Sequence, residues 1–188
     1  MTSVEDSEIH RTWTRMVQWL HDRAPVNAAA LGPAATAEDV GAAEQAIGVP
    51  FPAALRTWLM LNNGVRAPDS RPDRAPVHDG CFLPGGQHPL STASIPHVHR
   101  RLTALPPGGN PRRSSWNPRW IPFAADDYSY SPFIHNGDSY GSFIDTGDGT
   151  IGEWGDYGYL TTGVFPSLAA FFAYALTALR TSPTQTSR

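Results

Sequence analysis

The sequence predicts an α+β fold in one domain, with helices first, an antiparallel β-sheet meander next and a closing C-terminal helix. Three observations carry that prediction. Apolar residues between Ile9 and Leu59 recur at helical spacing. Short aromatic and β-branched segments then follow, separated by the turn sequences Asn136-Gly137-Asp138 and Thr146-Gly147-Asp148-Gly149. A broad apolar helical face returns from Leu168 to Leu179. A chain of 188 residues buries one good core and has little room for a second.

Each element has its own signal. Ile9, Trp13, Met16, Val17 and Leu20 form one stripe, so a helix is expected from about Glu8 to Arg23, with Pro25 beyond its end. The Ala/Gly/Pro segment to Ala35 reads as a linker. Thr36 has the chemistry of an N-cap, with Glu38 and Asp39 in the first turn, Val40, Ala43 and Ile47 on the inner face, and Gly48 as terminator. In "IGVPFPAALRTWLMLNNG", Pro50 biases Val49 towards extended backbone and Pro52 suits a first helical turn. Phe51, Leu55, Trp58 and Leu59 then repeat at helical spacing, and Asn63-Gly64 supplies a stop.

Residues 65–80 read as a polar, Pro-rich loop that is either mobile or functional, and "CFLPGG" as a short strand. A helix is expected after Pro96 and a second loop from Pro106 to Ser115. "RWIPFA", "SPFIHNGD", "YGSFID" and "GTIGEWG" read as adjacent antiparallel strands. Ser167 is the expected N-cap of the last helix, whose face is Leu168, Phe171, Phe172, Ala175, Leu176 and Leu179. The expected organisation is an N-terminal helix and linker (1–35) packed on the domain, the α+β domain itself (36–180), and a disordered tail (181–188).

Composition excludes several classes. A formal charge of −3 gives no footing for nucleic acid or an anionic membrane as partner. The single cysteine, Cys81, rules out an intramolecular disulfide and thiolate metal sites, and reads as a small buried hydrophobe. "MTSVEDSEIHR" is acidic where a signal peptide is basic and then apolar, and no apolar run approaches the ~20 residues that span a bilayer. A cytoplasmic location is the expectation. The totals fix no oligomeric state.

Catalytic and metal chemistry find little support. His97 and His99 lie about 200° apart on a helix, and with His88 they read as surface histidines, so no metal is expected. "DTGDGTIGE" fails as an EF-hand loop, because the first and twelfth positions fall on Ile144 and Gly155. It reads instead as a turn held by Asp145 and Asp148 side chains. "PGGQ" and "PPGGN" do not join a strand to a helix as phosphate loops do, and no G-x-S-x-G elbow occurs. No cofactor is expected, and the chain is not read as an enzyme.

Charge is unevenly spread. Cys81 to Ala125 holds five Arg and no acid, while Asp126 to Asp156 holds seven acids and neither Lys nor Arg. Among those acids stand Tyr128, Tyr130, Tyr140, Trp154, Tyr157 and Tyr159. Exposed tyrosines beside carboxylates suit a protein-binding surface, and the carboxylates steer a basic partner. The same residues also serve as sheet core and turn formers, and the sequence leaves both readings open. The candidate contact set is Asp126, Asp127, Tyr128, Tyr130, Asp138, Tyr140, Glu153, Asp156, Tyr157 and Tyr159.

In several of these segments the chain resembles the SUKH superfamily, which contains a fungal cell-wall-assembly regulator and many bacterial toxin-immunity proteins. "AEDVGAAEQAIGVPFPAALRTWLMLNNG" matches its opening signature through Glu44, Ile47, Gly48, Pro52, Leu55, Leu59, Asn63 and Gly64. "WIPFAAD" resembles its Trp-(hydrophobic)-Pro strand through Trp120 and Pro122, "GSFIDTGDGTIGEW" its late strands through Gly141 and Asp145, and "FPSLAAFFAYAL" its closing helix. The 65–80 loop and the Arg-rich stretch His97–Arg119 match no family motif. The resemblance implies that the matched residues are structural and that function is non-catalytic protein binding. It points first to an immunity protein that neutralises a cognate toxin, such as a nuclease. Alternatives are a regulatory or scaffold protein with a housekeeping partner, or an enzyme using loop His and Asp residues.

Overall fold

Helix α1 (Val4–Arg23) begins before Glu8 because a capping box precedes the apolar stripe. Ser3 Oγ accepts from the Asp6 N–H, and the Asp6 carboxylate accepts from the Ser3 N–H. Asp6 also accepts from the Thr57 hydroxyl at 2.8 Å, which holds its carboxyl below the usual range and ties α1 to a later helix. The computed structural model describes residues 3–66, 80–104, 116–126, 140–155 and 159–181.

The expected linker contains a short helix, α2 (Pro25–Ala30), with Pro25 at its start. Proline there opens an element as well as ending one. Helix α3 (Ala37–Ile47) has the expected Thr36 cap, closed into a box by Asp39, and ends on Gly48. Helix α4 (Ala53–Leu59) uses Pro52 as N-cap, one position before the first turn.

"CFLPGG" does not form a strand. Leu83 makes one isolated bridge to Gln87 around a 3-10 turn, Pro84–Gly86, and the strand β1 is His88–Pro89. Cys81 is half-buried, which corrects its reading as a buried hydrophobe. Helix α5 (Ser94–Ala104) starts before Pro96, which sits in the first turn where its missing N–H breaks no helical bond. His97 is exposed, but His88 and His99 are buried, so the expectation of three surface histidines fails. His99 Nε2 donates to the Pro118 carbonyl at 2.8 Å, and among the described residues no metal-binding group of His, Cys, Asp or Glu occurs.

Strands β2 (Trp120–Ala125), β3 (Gly141–Asp145) and β4 (Ile151–Gly155) agree with the reading, while "SPFIHNGD" lies outside the described residues. Strand β5 (Tyr159–Phe165) was not foreseen. The sheet order is β1-β2-β3-β4-β5, antiparallel throughout, and α6 (Leu168–Thr181) closes the fold with Ser167 as N-cap. Thr181 therefore belongs to the helix, and the expected tail from 182 lies outside the described residues.

The sheet is covered on both faces. On one, Ile121, Ile144, Ile151 and Phe165 stand in register, Phe165 meets Phe171 of α6, and Phe123 meets Trp58 of α4 and Phe171. Trp58 is fully buried, with Trp13 of α1 and Phe172 of α6 against it at 5.9 and 4.9 Å between centroids. Such aromatic pairs add about 0.5–1.5 kcal/mol each beyond area burial. On the other face Trp116 lies edge-on against Trp120, Phe143 and Trp154. The Trp154 and Phe143 rings fit there because Gly141 and Gly152 have no Cβ; one would stand 2.2 Å from each ring. A strand with six buried residues in succession, such as β2, is what a sheet covered on both faces requires.

Several of the resemblance residues make contacts that join elements or shape turns. Glu44 accepts from the Phe51 N–H at 2.6 Å and pairs with Arg56 at 2.7 Å, which fixes α3 against the start of α4. Asn63 Oδ1 accepts from the Thr92 N–H at 2.7 Å. Gly64 has φ 72°, and a Cβ on it would stand 2.5 Å from the Ser91 nitrogen. Trp120 Nε1 donates to Asp145 Oδ2 at 2.9 Å, while Asp145 Oδ1 accepts from the Gly147 N–H and Asp148 from the Thr150 N–H. The turn held by two aspartates is as expected.

Candidate partner-binding surface

The helix-facing side of the sheet changes character along the strands. Its first row, Ile144, Ile151 and Phe165, is apolar and belongs to the core. The next row is polar: Ser142 opposite Glu153, and Glu153 opposite Thr161. Two residues further on, Gly155 of β4 pairs with Tyr159 of β5, and Tyr140 precedes β3 on the other side. Alternation along a strand places Tyr140, Ser142, Glu153, Gly155, Tyr159 and Thr161 on one face.

Gly155 is the centre of the outer row. A Cβ built on it would lie 3.6 Å from the Tyr140 Cβ and 3.7 Å from the Tyr159 Cβ, with Tyr159 Cδ1 at 3.4 Å. Two tyrosines therefore flank a glycine floor. Both are exposed, Tyr140 by 37% and Tyr159 by 56%. The Tyr140 hydroxyl donates to the Gly85 carbonyl at 2.6 Å, which anchors the ring on the Pro84–Gly86 turn. Gln87, just after that turn, accepts from Ser142 Oγ at 3.0 Å, and both are buried. "PGGQ" is thus a clamp on this surface.

Glu153 occupies the inner row between two uncharged neighbours. Burial pushes its carboxyl above the ordinary range, and desolvation is the cause. Among the described residues no cation pairs with it and no hydrogen bond reaches it.

The structure brings together three of the candidate contact residues: Tyr140, Glu153 and Tyr159. Asp126 is only 3% exposed, and its N–H donates to the Tyr140 carbonyl, so it supports this surface from within and does not face a partner. Asp127, Tyr128, Tyr130, Asp138, Asp156 and Tyr157 lie outside the described residues. Sequence reasoning missed Gly155, Thr161 and the Pro84–Gly86 turn. The signal for the first two was available in "YLTTGVF", a run of β-forming residues before Pro166 that reads as a strand pairing with "GTIGEWG".

Among the described residues no helix is long and apolar enough to cross a membrane. No curated protein matches the chain. The family model described as the SMI1 / KNR4 family (SUKH-1) matches residues 34–174, a span that holds Tyr140, Glu153 and Tyr159 and leaves out α1.

Proposed function

The chain belongs to the SMI1 / KNR4 family (SUKH-1), and we propose that it is a non-catalytic protein-binding module whose partner is a cognate toxin domain that it neutralises by direct contact. One observation carries the reading: two exposed tyrosines share a strand-borne surface with a carboxylate that no cation pairs among the described residues. Tyrosines lose little entropy on binding and supply apolar area with a polar tip, which is why they dominate protein contacts. The acidic bias between Asp126 and Asp156 suits a basic partner such as a nuclease, whose substrate carries phosphates. Asp127, Tyr128, Tyr130, Asp138, Asp156 and Tyr157 are proposed to extend the contact. The site of action is proposed to be the cytoplasm.

Co-expression with any toxin domains found encoded nearby tests the proposal. The expected result is restored growth and a complex that survives purification. Toxicity unrelieved by any of them, with no complex recovered, refutes it.

A further inference from the structure

Among the described acids, Glu153 is the one whose carboxyl burial pushes upward. Asp6, Asp39, Asp145 and Asp148 each accept hydrogen bonds from nearby donors, and Glu44 has Arg56. Glu153 is half-buried without any such compensation among the described residues. A carboxylate in that condition gains from a cation that arrives with a partner, because part of its desolvation has already occurred within the fold.

The surroundings define the shape of that cation. Tyr140 and Tyr159 are both diagonal neighbours of Glu153 across the sheet, which places their Cβ atoms about 7–8 Å away, within reach of long side chains. Between them Gly155 carries no side chain, and a Cβ there would only just touch both tyrosines. The Tyr140 hydroxyl is engaged by Gly85, so its ring is held in place. A long, flat cation entering over Gly155 stacks on a phenol face and ends at the carboxylate. Guanidinium meets both demands, since it is planar, weakly hydrated and forked to match a carboxylate.

We propose that the slot between Tyr140 and Tyr159 is a socket for an arginine side chain of the partner, with its guanidinium paired to Glu153. The inference rests on the protein-binding reading and names the chemistry of its anchor contact. It makes the partner's key residue an exposed arginine and Gly155 the residue that sets access.

The test uses the full chain and two probes that need no toxin: N-acetyl-arginine amide and its uncharged isostere, N-acetyl-citrulline amide. Each is titrated into protein carrying carbon-13 at glutamate side-chain carboxyls, and the Glu153 signal is assigned by its loss in Glu153→Gln. The expected result is a saturable shift of the Glu153 carboxyl with the arginine probe and none with citrulline. Gly155→Val should abolish the response, while Gly155→Ala, whose added methyl makes ordinary contacts, should keep the fold and report whether the slot is still open. No saturable shift, or equal shifts with both probes, overturns the socket whatever any toxin experiment shows. Where a toxin complex is in hand, Glu153→Gln should weaken it about tenfold to a hundredfold. A complex that forms equally well with that variant refutes the socket and leaves the protein-binding reading standing.

Discussion

Individual residues divide into those that hold the fold and those proposed to meet a partner. Trp58, enclosed by Trp13, Phe123 and Phe172, belongs to the first group, and Trp58→Ala should cost about 3–5 kcal/mol in a denaturant titration. Gly64→Ala places a methyl against the Ser91 backbone at a positive φ, so a loss of at least about 2 kcal/mol is expected from the same measurement. Glu153 should behave in the opposite way. Its folded-state pKa stands above the ordinary 4.5, so its ionised form costs stability. That cost is absent below the unfolded value and grows as pH rises through the folded one. Glu153→Gln should therefore stabilise the protein slightly at neutral pH, an effect kept small because the group is partly exposed to screening solvent. The gain should vanish towards acid pH in melting curves. The spacing of Trp58 and the Asn63-Gly64 stop were legible in the sequence, because helical periodicity and positive-φ chemistry are local. The isolation of Glu153 was not, because it depends on which residues two neighbouring strands set beside it.

Elements were legible where their signals are local and failed where tertiary contact decides. The caps Thr36 and Ser167 and the turn at Asp145 and Asp148 were readable from residue type alone. Thr36→Ala should cost about 1 kcal/mol by loss of the capping box. Strand β5 escaped notice because it is the edge of the sheet, with Gly163 and a register slip breaking the alternation that announces a half-buried strand. The helix in the 24–35 linker escaped because Pro25 signals both an end and a beginning. "CFLPGG" misled in the other direction, since its apolar residues pack against the core without pairing as a strand. In each case the chain's neighbours in space outweighed its neighbours in sequence.

At the scale of the whole molecule, family membership and core membership do not coincide. The family match begins at residue 34, yet Ile9, Trp13, Met16 and Leu20 of α1 are buried in the core against α4 and α6. A chain shortened to begin at residue 34 should lose cooperative melting, which calorimetry would show as a missing transition. The helices and the sheet thus form a support, and the proposed contact surface lies at the far end of β3, β4 and β5. The α+β class was legible from three patterns, while the candidate site was legible only as an acidic and aromatic region, because Tyr140, Glu153 and Tyr159 come together through strand register. Protein binding at this surface is tested by the Kd, from titration calorimetry, of the chain and of Tyr159→Ala against a toxin domain recovered by co-expression. Tyr159 is exposed, so the variant should melt as the parent does and bind about thirtyfold more weakly, equivalent to about 2 kcal/mol. A Kd unchanged by the substitution would contradict the account.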